Sequence, residues 1–186
     1  ADGRGAGALF HNPMGIGEGA DVRTHVADEA NHAIRCVRRD GTVTTVAGRP
    51  CEEDEDEDGD PIEEPESTDG DLSIARFHGP EAIAVASDGT IYVGEERGRR
   101  VRRIRDGTVS TLRLQMTTEV YGLLLDEDEA LLYVSSAHRI QTIFIGTPTE
   151  QQEVRYYPAL QPWALAQESE QVEPIPAAAT ETAEEA

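Results

Sequence analysis

A phrase that occurs twice is the feature that most constrains the fold of this chain. "DGRGAGALFHNPMGI" occupies residues 2–16, and "DGDLSIARFHGPEAI" occupies residues 69–83. In both, Phe follows the Asp by eight positions and Pro follows the Phe by three. A phrase that recurs with its spacing intact indicates an internal structural repeat. The chain is therefore predicted to be built from copies of one unit.

Four short strand-like segments follow each copy of the phrase. An Asp-Gly pair, at 40–41 or 106–107, separates the third segment from the fourth and is a strong hairpin signal. A weaker third copy, "VYGLLLDEDEALLYVSSAHRIQTIFIG", comes next, and Tyr133 follows Tyr92 by 41 residues, the length of one four-stranded blade. The sequence predicts an all-β fold: a β-propeller segment of about three four-stranded antiparallel blades.

The repeated phrase itself has a predicted place in each blade. We expect its Asp-Gly pair to turn the chain, its Phe to fill the gap between neighbouring blades, and its Pro to start the innermost strand. The predicted propeller region is 1–157. It consists of a first blade at about 10–48, an acidic insertion at 49–68, a second blade at about 77–112 and a third blade at about 120–157. A C-terminal arm at 158–186 follows the propeller region.

The net charge of −21 is concentrated in two tracts. Glu52–Asp71 holds 13 of the 37 acidic residues and Glu168–Ala186 holds 6, with no basic residue in either tract. The rest of the chain is nearly neutral, with 18 acidic residues against 16 Arg. Such tracts bury too little apolar surface to order themselves, so we expect a disordered acidic insertion and an extended or disordered arm. The insertion could dock on a basic partner surface, bind cations weakly, or simply be solvated.

Few features of the sequence point to a compartment. No apolar run approaches the ~18 residues that span a bilayer, and the start "ADGRGAG" does not resemble a signal peptide. Only two cysteines are present, and a hairpin turn at 40–41 pairs Cys36 with about residue 45 rather than with Cys51. We therefore expect no disulfide, no membrane association and an intracellular location.

The segment "VADEANHAIRCVRRDGTVTTVAG", at 26–48, closely resembles the NHL repeat. That family's pattern is approximately V-A-D-x-x-N-H-x-I-R-x-(I/V)-x-x-D-G-x-V-x-T-x-A-G. The likeness is partial in the second copy, where Glu95 replaces Asp28 and Gly98 replaces Asn31, and weak in the third. The resemblance covers about 2–157. It implies a β-propeller, and many NHL propellers are protein-interaction platforms.

Three blades are fewer than a closed ring needs. Propellers close with about four to eight blades, so three leave two apolar sheet faces uncovered. The sequence leaves three interpretations open: a piece of a longer polypeptide, one half of a six-bladed ring shared with a second copy, or an open sector capped by partner proteins.

Two groups of residues are candidates for partner binding. In "RGRRVRRIR", Val101 and Ile104 hold core positions, so the arginines are expected to alternate outward; they are Arg97, Arg99, Arg100, Arg102, Arg103 and Arg105. No aromatic residue is interleaved to stack on bases, which disfavours nucleic acid. The second group, at the start of the arm, consists of Tyr156, Tyr157 and Trp163, whose rings supply contact area at low entropic cost.

The sequence offers little for catalysis. His11 and His78 occupy equivalent positions and could face the central channel, where some NHL-like lyases bind metal through His, but the third copy has no equivalent and a metal needs three or four ligands. We predict no catalytic residue, metal or cofactor. The predicted function is a non-enzymatic protein-interaction or structural scaffold, completed by a partner chain, a longer polypeptide or self-association. The alternatives are a lyase or lactonase-type metal enzyme and an RNA-binding propeller that uses the Arg-rich strand.

Overall fold

A computed structural model describes residues 1–49, 67–112, 118–126, 128 and 130–145, and the backbone of 155–158. Three antiparallel sheets follow one another along the chain, with five, five and four strands. The prediction of an all-β, propeller-like segment is confirmed. The predicted insertion and C-terminal arm lie almost entirely outside the described residues. Within the described ranges, no helix is long and apolar enough to cross a bilayer.

Each sheet is ordered from an outer edge to an inner edge. The first has the order β1-β5-β4-β3-β2, the second β6-β10-β9-β8-β7, and the third β14-β13-β12-β11. The strands of the first sheet are β1 Gly3–Arg4, β2 Pro13–Glu18, β3 Thr24–Asp28, β4 Ala33–Val37 and β5 Thr42–Gly48. Those of the second are β6 Gly70–Asp71, β7 Pro80–Val85, β8 Ile91–Glu95, β9 Arg100–Arg105 and β10 Thr108–Thr111. Those of the third are β11 Val120–Leu125, β12 Leu131–Ser136, β13 Arg139–Phe144 and β14 Arg155–Pro158.

The turns form where the sequence predicts them. Asp106 and Gly107, between β9 and β10, have φ values of 50° and 74°, as a two-residue hairpin turn requires at both positions. Gly41, between β4 and β5, has φ 81°. Asp and Gly are the residues that adopt this left-handed region at low cost, so these pairs fix the register of the strands on either side.

Neighbouring sheets pack face to face along their inner strands, β2 against β7 and β7 against β11. A Cβ atom on Gly15 would collide with the Glu81 carbonyl, and one on Gly94 would collide with the Val120 side chain. Small residues in β2 and β8 therefore allow the sheets to approach closely. The three sheets are arranged as successive propeller blades, called here the first, second and third blades.

Apolar side chains fill both gaps between blades. The gap between the first and second blades contains Phe77, Ile34 and Val93, all fully buried, and the gap between the second and third contains Val101 and Leu132. The prediction that Phe fills the gap is confirmed for Phe77. Phe and Pro keep their predicted order, because Pro80 begins β7 just after Phe77.

The prediction that the Asp-Gly pairs at 2–3 and 69–70 turn the chain is wrong. Gly3 and Gly70 instead begin the short strands β1 and β6, which pair with β5 and β10. The first and second blades therefore have five strands rather than the predicted four. The chain from each Asp to the following Pro, which we call the lead-in segment (2–13 and 69–80), runs from the outer edge of its blade to the inner edge.

A buried guanidinium holds the lead-in segment of the second blade. Arg102 in β9 has no exposed surface and forms ion pairs of 2.8 Å with Glu95 and 2.7 Å with Asp69. It also donates to the carbonyls of Arg76 at 2.8 Å and Thr68 at 2.9 Å. Its guanidinium carbon lies 5.2 Å from the centre of the Phe77 ring. The prediction that Arg102 points outward is wrong. Both faces of the middle blade are covered by neighbouring blades, so successive side chains of β9 point alternately into the two gaps between blades rather than into solvent.

The first blade contains the same arrangement. Arg35 in β4 is buried and pairs with Asp28 at 2.7 Å and with Asp2 at 2.9 Å. It donates to the Leu9 carbonyl at 3.2 Å, and its guanidinium carbon lies 5.3 Å from the centre of the Phe10 ring. The Asp of each lead-in segment also accepts hydrogen bonds from the strand next to the outer edge. Asp2 accepts them from Thr45 of β5, and Asp69 accepts them from Thr111 of β10. Each Asp therefore ties the lead-in segment to the outer part of its blade.

The third blade replaces the charged pair with neutral residues. By strand register, Gln141 occupies the position of Arg102, and Ser136 that of Glu95. Gln141 is buried, and its Nε2 atom has no partner among the residues that the structure describes. A neutral amide needs no buried carboxylate, so the two exchanges are mutually consistent.

Replacement of Arg102 tests the buried pair. Arg102→Gln leaves the Glu95 carboxyl buried without its cation and should lower the free energy of unfolding by about 3 kcal/mol. The double variant Glu95→Ser/Arg102→Gln, which copies the third blade, should lose less. Urea unfolding of the full chain measures both. Arg105→Gln, at an exposed position of the same strand, is the control and should change the free energy of unfolding by less than about 0.5 kcal/mol. A loss for Arg102→Gln no larger than that for Arg105→Gln would contradict the role of the buried pair.

Acid unfolding tests the lead-in carboxylates. Partial burial of Asp69 raises its pKa, but hydrogen bonds from Thr111 and Arg102 outweigh this and hold the pKa below the ordinary value of 3.8. A depressed pKa means that the ionised form stabilises the fold above about pH 4, and that this stabilisation is lost as the pH falls through and below 3.8. Asp69→Asn should therefore make stability less dependent on pH in this range.

The control for this experiment is Asp71→Asn, two residues away. The Asp71 carboxylate forms no ion pair within the part of the chain that the structure describes. Urea midpoints measured from about pH 5 down to about pH 2.5 should fall equally in wild type and Asp71→Asn, and less steeply in Asp69→Asn. Three parallel curves would exclude the proposed role of Asp69.

Candidate functional site

A cavity of about 270 Å³ lies where the three inner strands begin. Met14, Glu81 and Tyr121 are the second residues of β2, β7 and β11, and they line it together. The other lining residues are Asn12, Glu29, Glu96 and Arg97. In a propeller, the inner strands surround the central channel, so this cavity lies at one end of that channel.

Carboxylates dominate the polar lining of the cavity. Glu29 is buried, accepts a 2.9 Å hydrogen bond from the Asn12 amide and lies 3.6 Å from the Arg97 guanidinium. Burial raises the pKa of Glu81, and the negative charges of Glu96 and Glu29 raise it further. Partial desolvation and the carboxylates of Glu119, Glu96 and Glu81 likewise raise the pKa of the Tyr121 hydroxyl. The cavity is therefore suited to a group that donates hydrogen bonds or carries positive charge.

The predicted histidine pair does not form a metal site in the described structure. The backbone N–H groups of His11 and His78 donate to Asp28 and Glu95 at 2.7 and 3.2 Å, so this repeated position helps to hold the buried acid. The His78 ring lies 6.0 Å from that of His32. Throughout the described ranges, no three His, Cys, Asp or Glu side chains are arranged to hold a metal ion.

The predicted arginine group is divided by the structure. Arg102 is buried, Arg103 is half-buried, and the other four are exposed. Several of the exposed ones pair with local acids: Arg97 with Glu29, Arg99 with Glu119, and Arg105 with Asp88 and Asp106. Arg100 donates to the Ser67 carbonyl at 3.1 Å. The exposed arginines thus lie among carboxylates that reduce their net positive field.

The predicted aromatic group lies largely outside the described side chains. The backbone of Tyr156 and Tyr157 belongs to β14 and pairs with Gln141 and Ile140 of β13. Trp163 lies outside the described residues. Binding of a partner by these three residues stays a prediction.

Sequence reasoning missed the buried arginine networks and the cavity. A signal for the networks was present: Arg35 and Arg102 each follow an acid by seven positions and the Asp of the lead-in segment by 33. No equivalent signal existed for the cavity, because Met14, Glu81 and Tyr121 share a position in the repeat but not a residue type. Cys36 is a buried, free thiol whose pKa is raised by burial.

Comparisons with known proteins agree with the geometry. A family model described as strictosidine synthase-like, N-terminal, matches residues 72–103, which lie within the second blade and its lead-in segment. Among curated proteins, none matches the chain significantly in sequence.

Solved structures match over much more of the chain. A chain of a nidogen/laminin complex superimposes with a TM-score of 0.55 at 16% identity, covering 78% of this chain and 48% of that one. A structural genomics protein of unknown function from Bacteroides thetaiotaomicron VPI-5482 gives 0.51 at 20%, covering 63% of this chain and 30% of that one. Virginiamycin B lyase from Staphylococcus aureus gives 0.48 at 17%, covering 87% and 60%.

This chain spans between 30% and 60% of the length of these three solved chains. At identities of 20% or less, the likenesses concern the fold alone. Together with the three successive antiparallel sheets, the two likenesses with TM-scores above 0.5 show that the chain has a β-propeller fold.

Proposed function

We propose that the chain is an NHL-type propeller segment that works as a non-enzymatic interaction scaffold and is completed by further blades. The observation that carries the proposal is that the two outer faces of the three-blade unit expose the apolar positions that the middle blade buries. The proposal is supported by the exposed fractions of residues at equivalent repeat positions, which are low where another blade covers the residue and high on the two outer faces.

The face of the first blade that points away from the second is not covered by any other part of the chain that the structure describes. Ile16 in β2 and Ile83 in β7 are the same residue at the same repeat position, since each lies three residues after the Pro that begins its strand. Ile16 is 70% exposed and Ile83 is 7% exposed. Phe10 and Phe77 differ in the same way, at 37% and 0%. Leu9 and Met14, in the same lead-in segment and strand, are also exposed, at 63% and 50%.

The face of the third blade that points away from the second is likewise left uncovered by the described residues. By register, Leu124 and Ile140 occupy the positions of Ala84 and Val101 in the second blade. Ala84 and Val101 are buried against the third blade, whereas Leu124 is 65% exposed and Ile140 is 44% exposed. Large apolar residues at exposed, contiguous positions are typical of protein interaction surfaces.

The polar groups of the described residues support a scaffold rather than a catalyst. The most deeply buried charged side chains of the described residues are all engaged in ion pairs that hold the lead-in segments; they are Asp28, Arg35, Glu95 and Arg102. Burial raises the pKa of Glu95, which Arg102 opposes, but the carboxyl contacts Ser67 and the His78 amide rather than an open cleft. The assignment to the NHL type is supported by the match of residues 26–48 to the pattern of that family and by the position of Arg35 within this segment.

A matched pair of substitutions tests whether the first-blade face is free. Ile83→Ser should lower the free energy of unfolding by about 2–5 kcal/mol, because it removes a buried side chain and leaves a cavity. Ile16→Ser, the same change at the equivalent position, should lower it by less than about 0.5 kcal/mol in a sample dilute enough to sediment as a single copy. Urea unfolding of both variants measures the difference.

A dye that fluoresces on apolar surfaces gives an independent readout. The folded single copy should bind 1-anilinonaphthalene-8-sulfonate, and Ile16→Ser/Leu124→Ser should bind less of it at an unchanged urea midpoint. Equal destabilisation by Ile16→Ser and Ile83→Ser, together with no dye binding by the folded single copy, would show that the faces are already covered and would refute the proposal.

A further inference from the structure

The two uncovered faces of the unit correspond to the two sides of one internal junction. In the junction between the second and third blades, Ala84, Tyr92 and Val101 of the second blade pack against Leu132 and Val134 of the third. The uncovered face of the third blade presents the positions of the first group, including Leu124 and Ile140. The uncovered face of the first blade presents the positions of the third-blade side, including Ile16, whose counterpart by register is Leu123, which packs on the same cluster.

We propose that these two faces bind each other between two copies of the chain, so that the third blade of each copy packs on the first blade of the other. This inference rests on the proposed function and names the partner that completes the unit. The contact is head-to-tail, and two such contacts related by a two-fold axis close a ring of six blades, which lies within the four to eight that propellers use.

The fold comparison agrees with a unit that forms half of a ring. The aligned part of the nidogen/laminin chain is 48% of that chain, so about half of that chain has no counterpart in a single copy of this unit. A second copy would supply an equal length of the same repeat.

Charge does not oppose the contact at the blade faces. The net charge of −21 belongs mostly to the acidic tracts, and the remaining chain carries 18 acidic and 16 basic residues. Ile16 and Leu124, one on each face, are apolar and more than half exposed. At about 0.15 M salt, charges further apart than about 8 Å are largely screened, which limits long-range repulsion between two copies.

Sedimentation velocity of the full chain at about 0.15 M salt tests the inference. Wild type should sediment as a dimer with twice the monomer mass of 20.2 kDa, and dilution should reveal the single copy. Ile16→Arg and Leu124→Arg should each remain single copies at concentrations at which wild type is dimeric. Ile74→Arg changes an isoleucine that is also more than half exposed, in the lead-in segment of the second blade and away from both faces, and should dimerise as wild type does. Circular dichroism establishes that each variant is folded.

Mixing the two variants distinguishes head-to-tail contact from contact between like faces. An equimolar mixture of Ile16→Arg and Leu124→Arg retains one wild-type junction, between Leu124 of the first variant and Ile16 of the second. The mixture should therefore form dimers that neither variant forms alone. If like faces paired instead, one variant would dimerise normally by itself, and this result would overturn the head-to-tail inference.

The state of the wild-type chain separates this inference from the proposed function. Wild type that stays a single copy up to about 100 µM would exclude the second copy as the partner, since an obligate interface of this kind associates far below that concentration. A single copy that still binds the dye would leave the proposed scaffold function in place with a different partner. A single copy that does not bind the dye would contradict both.

Discussion

The fold of each complete blade depends on one buried guanidinium. Arg102 joins Glu95 at the end of β8, Asp69 at the outer edge, and the carbonyls of the lead-in segment that crosses the blade. Arg35 makes the equivalent contacts in the first blade. A buried charge without a partner is costly, so the acid, the arginine and the lead-in segment must be in place together. The aromatic ring of the segment is thereby fixed against the guanidinium, and Phe77 comes to lie between two blades.

This constraint connects local structure to the shape of the whole unit. Phe77 and Ile83 form one side of a junction whose other side is Ile34 and Ala27 of the first blade. Phe10 and Ile16 are held in the same way but have no blade to meet within the described residues. The outward face of the first blade is therefore already ordered before a partner is present. A preformed face loses little conformational freedom on binding, which favours association with another blade.

The sequence was sufficient for the blades because their signals are local. The Asp-Gly turn at 40–41 and the β-branched residues after it predict β4 and β5 at the observed positions, Ala33–Val37 and Thr42–Gly48. The sequence was insufficient to predict the burial of Arg102. Alternating polar and apolar residues indicate a solvent-exposed face only when one side of a sheet is exposed, and neither side of the middle blade is. The cavity at the channel end depends on three residues of different type, Met14, Glu81 and Tyr121, which only the packing of three blades brings together.

We infer that a blade of this chain is fully stable only when both of its faces are covered. Native-state hydrogen exchange of the full chain, at a dilution where it sediments as a single copy, tests this most directly, because it reports opening free energies strand by strand. The account predicts the slowest amide exchange in β8 and β9 of the middle blade, and faster exchange in the equivalent β3, β4, β12 and β13 of the outer blades. Equal protection of all three blades in the single copy would contradict it.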